Sequence, residues 1–380
     1  MKMVTNKTSK GDCFMHLFFS GKLYNLTPIC VIKAQMIKMN RKLSVLVLTD
    51  HRNHTEHNSV YALCSALRRH PGIAHVHVAS RGNSANAAFF TDYTSTQVRA
   101  WALDGEMHFD HAAYRFQQET VPADLNDYDW IWLRLPHPIP EGFFEFLCSV
   151  YPEERIFNRP SGIVETSTKA FLTQFPQWSP DVQLCQSMED VWEMQSRYPI
   201  VLKPLHSYGG QGILKIKNGK VYNEPKPVSL RSYQGVLETG FEQGGFLGMR
   251  FLKNVKQGDK RIVVVNGRIL GAVLRMPPKG SWLCNAAQGG QAILSGPDER
   301  ERRMARELSR VLLPKGIVMF GMDTLVNDEG LRVLSEVNTL SIGGIKPMED
   351  LSGKPMVRRA AHQLARYMQA DSTQQQTATF

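Results

Sequence analysis

The sequence lacks the features that would point to a membrane-embedded, secreted or zinc-stapled protein. Its six cysteines are scattered and form no Cys-x-x-Cys pair, which argues against a zinc ribbon and a disulfide framework. No stretch reaches the roughly 18 consecutive apolar residues of a membrane-spanning helix. The short apolar patch from Cys13 to Phe19 contains His16 and no convincing cleavage site follows it. We therefore expect a cytoplasmic protein with reduced thiols and no membrane partner.

Dense basic runs are also absent, although the formal net charge is +10. Residues 1–42 contain eight Lys or Arg and a single acid, Asp12, so they contribute +7. The other 338 residues contribute only +3. A nearly balanced body without a basic stripe between aromatic residues does not favour a nucleic-acid partner.

The length of the chain and its patterns predict an arm, two folded parts and a tail. The 380 residues correspond to about two to three domains of roughly 150 residues. Residues 1–38 show no helical or strand periodicity and precede a second possible start, Met39, so we predict a disordered arm or a misassigned start. Residues 39–157 read as an open α/β sheet and 158–370 as mostly antiparallel α+β structure. The Gln- and Thr-rich residues 371–380 are predicted to be disordered.

Hydrophobic periodicity locates the elements of the second part. The predicted strands there are 200–203, 212–217, 235–238, 261–265 and 271–275. The predicted helices are 165–174, 298–313 and 355–370, with a hairpin over 316–338. Asn266-Gly267 is typical of a two-residue hairpin turn.

A glycine-rich loop follows a lysine at the end of one predicted strand. Lys203 precedes Gly209, Gly210 and Gly212. Backbone N–H groups in such a loop can approach phosphate oxygens while the ammonium neutralises their charge. A hairpin with a flexible tip is the alternative interpretation. The sequence contains neither the Walker phosphate loop nor a dinucleotide-binding Gly-x-Gly-x-x-Gly loop between a strand and a helix.

Three oxygen donors in the 316–338 hairpin predict a metal site. With a two-residue turn at 328–329, Asp323 falls opposite Leu334. That register puts Asp323 on the face shared by Glu336 and Asn338. Carboxylate and amide oxygens without His or Cys suit Mg²⁺, and Mn²⁺ is also possible. A solvated hairpin face is the alternative.

Two arginines on adjacent predicted strands form a third candidate group. Planar guanidinium groups such as those of Arg261 and Arg275 hold negative charge that develops on phosphoryl or carboxylate oxygens. Ordinary surface ion pairs are the alternative. The loop that follows, residues 277–290, is long, contains Asn285 and has the composition of a lid that closes over a substrate.

Taken in order, these motifs resemble the ATP-grasp superfamily, and most closely the bacterial glutathione synthetases. The resemblance covers about residues 43–367. Its matching series is Asn158-x-Pro, Lys169, Lys203-Pro-x4-Gly-Gly-x-Gly, Gly258-Asp-Lys-Arg, Asn285-x3-Gly-Gly, Gly321-x-Asp and Glu336-x-Asn-x-x-Ser341. It implies a pre-ATP-grasp α/β substrate domain at 39–157 and an ATP-grasp domain at 158–370. The latter would divide into a small-loop subdomain at about 170–250 and a catalytic subdomain at about 251–370.

The resemblance also implies roles for individual residues. The nucleotide-binding positions would be Lys169, Lys203, Gly209, Gly210 and Gly212 at the phosphates, Phe251 and Leu252 at the hinge around adenine, and Asp259 at the ribose. The catalytic positions would be Arg261, Arg275 and Asn285. The metal ligands would be Asp323, Glu336 and Asn338, and the substrate positions Arg134, Ser341, Gly343 and Gly344.

The implied activity is ATP-dependent ligation of a carboxylate to an amine through an acyl phosphate. The most direct expectation is glutathione synthesis from γ-glutamylcysteine and glycine by a homo-oligomer, a dimer or a tetramer. Two departures from the family pattern keep a second reading open: Met249-Arg250 stands where an acidic or amide residue usually precedes the hinge, and 339–344 replaces Val-Thr-Ser-Pro-Thr. That reading is another ATP-grasp amino-acid or glutamate ligase acting on a peptide, coenzyme or natural-product precursor. A non-catalytic nucleotide-binding protein is a third class.

Two further features allow several interpretations. His51, His54 and His57 follow the first predicted strand of the α/β sheet and could contact substrate, bind a transition metal or lie in a solvated loop. Cys284, next to Asn285, is either a redox-sensitive thiol or a bystander.

Overall fold

The computed structural model describes the backbone of residues 2–7, 13–19, 22–26, 41–207, 210–222, 226–278, 282 and 291–378. Near the start, strands β1 (Lys2–Lys7), β2 (Cys13–Phe19) and β3 (Lys22–Leu26) pair as an antiparallel sheet. The sequence analysis predicted no regular structure in this arm. The paired segments are rich in Phe, Val, Thr and Tyr, which favour strands even without clear alternation.

The first large sheet is mixed, with six strands in the order β7-β6-β5-β4-β8-β9. Strands β4, β5, β8 and β9 are parallel, whereas β6 and β7 are antiparallel. Its strands are β4 (Leu43–Thr49), β5 (Ile73–Ser80), β6 (Gln97–Ala102), β7 (Val121–Asp124), β8 (Trp130–Leu133) and β9 (Ile156–Phe157). Its helices are α1 (Ser59–Arg68), α2 (Ala87–Phe90), α3 (Tyr114–Gln117) and α4 (Glu141–Val150). This arrangement confirms the predicted open α/β sheet.

The second large sheet is antiparallel, in the order β10-β15-β11-β12-β13-β14. Its strands are β10 (Val182–Cys185), β11 (Ile200–Pro204), β12 (Leu214–Lys217), β13 (Lys220–Val221), β14 (Val228–Ser229) and β15 (Phe246–Arg250), and helices α6 (Met188–Arg197) and α7 (Gln234–Glu242) accompany them. The strand predicted at 235–238 is wrong, because that segment lies inside α7. Leu237 and Phe241, one helical turn apart, contribute to the core of this sheet while Val236 is exposed.

The third large sheet is antiparallel, in the order β18-β17-β16-β19-β20. Its strands are β16 (Asp259–Val265), β17 (Arg268–Met276), β18 (Gln291–Ser295), β19 (Met319–Val326) and β20 (Arg332–Asn338). Helices α8 (Glu299–Leu312), α9 (Ile345–Ser352) and α10 (Met356–Ala378) complete this part. Helix α10 continues past the predicted end at Ala370, since the tail contains no Gly or Pro to stop it. The chain thus combines an α/β sheet with two antiparallel sheets of α+β structure, and no described helix is long and apolar enough to cross a bilayer.

The segment between the α/β sheet and the antiparallel sheets is two short helices instead of the single predicted helix at 165–174. Helix α5 (Pro160–Thr166) begins with Pro at its first turn, and a 3₁₀ helix covers Lys169–Gln174. Just before α5, the buried amide of Asn158 donates to the carbonyls of Met319 and Thr339. Its Oδ1 accepts from the backbone N–H groups of Val318 and Met319, at 2.9 and 3.0 Å. Asn158 therefore joins the end of the first sheet to the third.

The β19–β20 hairpin has a different register from the one predicted. Asp323 lies opposite Glu336, not Leu334, which pairs with Thr324. Two effects cause the shift: the turn has one residue more than predicted, with Asn327 N–H bonded to the Leu331 carbonyl, and an irregularity follows Asp323. Since the total shift is two residues, Asp323 still shares a face with Glu336.

A buried ion pair lies on the face of the third sheet that packs against α8. Lys260 Nζ lies 2.8 Å from the Oε2 of Glu301, whose side chain is fully buried. Glu301 Oε1 accepts from the Thr324 hydroxyl at 2.6 Å, and Oε2 also accepts from the Asp298 backbone N–H. Every oxygen of this carboxylate is satisfied, as burial of a charge requires. The pair attaches the N-terminus of α8 to the strands that carry the site.

We expect Glu301→Gln to lower the free energy of unfolding by about 3 kcal/mol, because it leaves the buried Lys260 ammonium without an opposite charge. Urea unfolding followed by circular dichroism measures the change. Glu299→Gln is the matched control on the same helix: its pair with Arg306 is exposed, and we expect a loss of about 0.5 kcal/mol or less. Equal losses in the two variants would contradict a structural role for the buried pair.

Candidate active site

A cleft between the second and third sheets brings together many of the predicted residues. Seven of them line it: Lys169, Lys203, Gly210, Phe251, Leu252, Asp259 and Glu336. They come from five separate segments of the chain, so the fold assembles the cleft. Lys203 of the second sheet and Lys169 supply ammonium groups, and the third sheet supplies the carboxylates of Asp259 and Glu336.

Lys169 and Lys203 lie close together at one end of the cleft. Lys203, buried at the end of β11, donates from Nζ to the carbonyl of Ser335 on β20 at 3.0 Å. Lys169, at the start of the 3₁₀ helix, donates to the Ser207 carbonyl. Burial lowers the pKa of Lys169 and the nearby Lys203 lowers it further, whereas Glu336 raises it. Two ammonium groups and one carboxylate therefore share this end of the cleft.

Two arginines and two aspartates form a charged network on the third sheet. Arg261 and Asp323 are cross-strand neighbours, and Arg261 NH2 lies 2.7 Å from Asp323 Oδ2. Arg275 pairs with Asp259 across β16 and β17, and its NH2 also lies 3.0 Å from Asp323 Oδ2. Both predicted arginines thus converge on one buried carboxylate. The prediction that they lie on adjacent strands is confirmed.

The two aspartates of this network have opposite pKa shifts. Burial alone would raise the pKa of Asp323, but Arg261 and Arg275 outweigh it and lower the pKa to about 2. Burial and the nearby Asp323 raise the pKa of Asp259 to about 6, against the effect of Arg275. Asp259 Oδ1 is buried and has no hydrogen-bond partner among the described residues. It is placed to accept a hydrogen bond from a ligand hydroxyl.

The predicted metal ligands lie together on one face. Asp323 and Glu336 are directly paired, and Asn338 Nδ2 lies 3.4 Å from Asp323 Oδ2. Asp323 Oδ2 accepts from both Arg261 and Arg275, whereas Oδ1 accepts from Arg261 alone, so a lone pair for a cation remains on Oδ1. A set of hard oxygen donors without nitrogen or sulfur fits Mg²⁺.

The other end of the cleft is aromatic. Phe251 follows β15, and its backbone N–H donates to the Pro199 carbonyl at 2.8 Å. Lys215 Nζ lies 3.6 Å from the centre of the Phe251 ring, and the Trp282 ring lies 5.8 Å from it, edge to face. Neither Trp282, which lines the cleft, nor Lys215, which lies over the Phe251 ring, was predicted from the sequence. Alternation along β12 could have indicated the lysine, but no sequence signal distinguishes Trp282 within the loop.

The unusual Met249-Arg250 pair is also explained here. Met249 lines the cleft, so an apolar side chain replaces a polar one near the hinge. Arg250 NH2 lies 3.2 Å from Asp328 Oδ2, and the Lys253 backbone N–H donates to Asp328 Oδ1. The turn of the β19–β20 hairpin is therefore held against the hinge.

The glycine loop is described only in part. Gly210 lines the cleft and has a φ of +81°. Gly212 does not line it; its φ is +68°, and a Cβ there would lie 3.0 Å from the Pro204 ring, so a side chain would be strained on two counts. Gly209, Asn285 and Cys284 lie outside the described residues, so the predictions for them stay predictions.

The predicted substrate residues lie at a separate junction of the first and third sheets. Buried Arg134, just after β8, donates from NH1 to the Ile342 carbonyl at 2.9 Å, and its Nε has no partner among the described groups. Ser341 donates from its hydroxyl to the Leu135 carbonyl at 2.6 Å. Gly344 is the N-terminal cap of α9 with a φ of +92°, and Gly343 is exposed. The divergent segment 339–344 thus contacts the Arg134 strand end.

The three histidines of the first loop do not form a metal cluster. His51 Nδ1 lies 2.7 Å from the Ser80 hydroxyl, and His54 lies between Thr49 and Tyr61, 3.0 Å from each hydroxyl. His57 lies beside Glu56. Burial, with smaller effects from Arg134 and His51, lowers the pKa of His54 to about 4. Within the described residues, no group of three His, Cys, Asp or Glu side chains could hold a metal ion.

Comparison with known proteins assigns the chain to a family. The family described as "Prokaryotic glutathione synthetase, ATP-grasp domain" matches residues 168–353. A glutathione synthetase of Prochlorococcus marinus (strain MIT 9313) is 31% identical over 245 residues, which are 63% of this chain and 75% of that relative. The chain belongs to the prokaryotic glutathione synthetase family. A second member of this glutathione synthetase family, from Brucella melitensis biotype 1, is 28% identical over 239 residues, 62% of this chain and 72% of its own length.

Solved structures agree on the ATP-grasp fold of this glutathione synthetase family member. The D-cycloserine synthetase DcsG superposes with a TM-score of 0.59 at 14% identity, covering 86% of this chain and 99% of the other. The ATP-grasp ligase PsnB, complexed with a phosphomimetic precursor variant, Mg and ADP, superposes with a TM-score of 0.53 at 12% identity over 88% of this chain and all of its own. The predicted fold class and superfamily are confirmed.

For this member of the glutathione synthetase family, we expect Lys203→Met to weaken the binding of Mg²⁺-ATP by roughly 10- to 100-fold, the contribution of one charge-assisted hydrogen bond. Isothermal titration calorimetry measures the affinity. Lys217→Met, an exposed lysine on the same sheet, is the control and should leave the affinity unchanged. Unchanged affinity in Lys203→Met would remove this lysine from the nucleotide site.

Proposed function

We propose that this protein is an ATP-dependent carboxylate–amine ligase that synthesises glutathione from γ-glutamylcysteine and glycine. The observation that carries the proposal is the cleft that Lys169 and Lys203 share with the carboxylates of Asp259 and Glu336. Asp259 connects this cleft to the charged network of Arg261, Arg275 and Asp323 on the third sheet. Membership of the glutathione synthetase family supports the choice of substrates. The division into a substrate domain at 39–157 and an ATP-grasp domain at 158–370 belongs to the same proposal, as does a homo-oligomeric state.

The reaction needs two displacements and no side-chain nucleophile. An oxygen of the donor carboxylate attacks the γ-phosphorus of ATP, and ADP leaves with the electron pair of the broken P–O bond. The amine of the acceptor then attacks the carbonyl carbon of the acyl phosphate. Inorganic phosphate leaves, the amine nitrogen loses a proton, and an amide remains.

The chain's residues contribute charge and position to these steps. Lys169 of the 3₁₀ helix and Lys203 of the second sheet hold the phosphates, and the backbone N–H of Gly210 approaches them closely. Arg261 and Arg275 face the transferring phosphoryl group, where their rigid guanidinium planes match its oxygens. Asp259 Oδ1, buried without a partner in the described structure, accepts a hydrogen bond from the ribose. Phe251, Leu252 and Trp282 enclose the base.

Asp323, Glu336 and Asn338 are the residues that would hold Mg²⁺, which when bound neutralises phosphate charge and polarises the P–O bonds. The free space in the cleft is about 80 Å³, whereas sites for small ligands are typically about 300–1,000 Å³. The cleft must therefore widen to admit a nucleotide. Because Phe251 and Leu252 connect β15 of one sheet to β16 of the other, this segment is where such a motion would bend.

Another ATP-grasp amino-acid or glutamate ligase is the second candidate. The observation that favours it is the segment 339–344, which departs from the family pattern and contacts the Arg134 strand end through Ser341 and Ile342. Arg134 suits a substrate carboxylate, and the residues around it set what else fits. Nucleotide chemistry is common to both candidates, so only the substrates distinguish them.

The decisive measurement is ADP release with Mg²⁺-ATP, γ-glutamylcysteine and glycine, with each component omitted in turn and the product identified by mass. We expect release only with all components present, and glutathione as the product. Release with a different carboxylate–amine pair from a panel of amino acids and short peptides would favour the second candidate. Binding of ATP without ADP release for any pair would support the non-catalytic class.

Arg275→Ala should lower kcat by about 100-fold, because one of two groups facing the transferring charge is lost. The KM for ATP should change by only about threefold, since the interaction is made chiefly in the transition state. Arg268→Ala, at the exposed start of the same strand, is the control and should retain full activity. A proportional rise in KM with unchanged kcat would instead assign Arg275 to ground-state binding.

A further inference from the structure

A second cavity, of about 1140 Å³, shares no residue with the nucleotide cleft. Five elements line it: the C-terminal end of α1 with the residues after it, the turn before β17 with the start of that strand, one face of α8, the end of α9, and the start of α10. His70, which follows α1, and His362 of α10 meet across it, with their ring nitrogens 3.3 Å apart. We call this cavity the basic groove.

Nearly all of the charged residues that line the groove are basic. Six arginines and two histidines line the groove, with a single acid: Arg69, Arg268, Arg302, Arg306, Arg358, Arg359, His70, His362 and Glu349. Glu349, whose Oε2 accepts from the Val357 backbone N–H at 2.9 Å, supplies only one negative charge against the six arginines. This concentration contrasts with a body of the protein whose total charge is only +3.

Most of these guanidinium groups lack an ion pair. Arg69 pairs with Glu106 and Arg306 with Glu299. Arg268, Arg302, Arg358 and Arg359 have no acidic partner within 4.0 Å among the described residues. Like charges in a shared concavity repel one another, and a concave wall focuses their field outward, which concentrates anions at its mouth.

Apolar groups lie beneath this charge. Leu270, Ala305, Val357 and Ala361 line the groove and are buried. An apolar floor with a few charged groups at the rim is the usual composition of a small-molecule site, and the volume is close to that of such sites. A nucleic-acid backbone would instead need a basic track that continues beyond the groove.

We propose that the basic groove binds a small polyanion, a molecule with at least two phosphate or carboxylate groups, at a site separate from the nucleotide cleft. Guanidinium groups from α8, α10 and the β16–β17 turn would contact its anionic groups, which each can hold in a bidentate manner. The inference does not depend on which substrates the ligase uses.

The test is calorimetric titration of the full chain with inorganic tripolyphosphate and, separately, with citrate, in buffer free of Mg²⁺. We expect saturable binding of at least one probe. Arg302→Glu combined with Arg359→Glu should weaken it by roughly tenfold or more, because two of the charged contacts are reversed. Arg303→Glu with Arg366→Glu changes the net charge equally on the same two helices, outside the groove, and should weaken binding by about twofold or less.

Both double variants alter exposed side chains, and circular dichroism checks their folding. Arg268→Gln serves as the alternative if the first double variant fails to fold. It removes one charge from β17 and should weaken binding by about threefold. Absence of saturable binding to the unaltered protein would overturn the proposal. Equal weakening by the groove and control variants would also overturn it, because net charge alone would then explain the binding. Unchanged binding in the groove variants would overturn it too, because the probe would then lie in the nucleotide cleft.

Discussion

Three consecutive charged residues, Asp259, Lys260 and Arg261, lie inside a central strand, and this arrangement organises the rest of the site. Burial of a charge costs several kcal/mol unless an opposite charge and hydrogen bonds compensate for it. Alternation along the strand sends Asp259 and Arg261 to the cleft and Lys260 to the opposite face. Asp259 then pairs with Arg275, Arg261 with Asp323, and Lys260 with Glu301. The same pairing that makes the strand stable also fixes the position of Asp259 in the cleft.

The two faces of this strand therefore have different tasks. On the far face, the ion pair between Lys260 and Glu301 is complete, since both oxygens of the carboxylate have partners. On the cleft face, the network is incomplete, because Asp259 Oδ1 and Arg275 Nε have no partner in the described structure. Unsatisfied buried polar atoms are costly in a resting protein. A ligand that supplies the missing hydrogen bonds would recover that cost.

Much of the fold and the site could be predicted from the sequence, and the failures have identifiable physical causes. The α/β sheet was predictable because buried parallel strands such as Leu43–Thr49 are almost uniformly apolar. Helix α7 was read as a strand because four residues of a helix stripe cannot be distinguished from a short apolar run. Strand β15, which follows α7 in the chain, was not predicted. It contains Gly248 and Met249, and its residues show little alternation between apolar and polar side chains.

The site was predicted better than its local geometry. Lysines, arginines and acids were located by the order of their motifs, so the convergence of Lys203, Asp259 and Glu336 needed no knowledge of register. Trp282 and the carbonyl of Ser335 reach the site only through tertiary packing. No sequence pattern indicated them. The basic groove is the extreme case, because its arginines come from elements that only the fold brings together.

The irregularity opposite Asp323 has a consequence for the evolution of this hairpin. Strand β20 accommodates one extra residue near Ser335, whose carbonyl accepts from Lys203 while its hydroxyl donates to the Asp323 carbonyl. Chain length within the paired strand is thus subject to a parity rule. A single insertion or deletion in β20 ahead of Glu336 that the turn did not absorb would turn Glu336 and Asn338 to the opposite face of the sheet. Strand length can therefore change in steps of two, or in single residues that the turn or the gain or loss of the extra residue cancels.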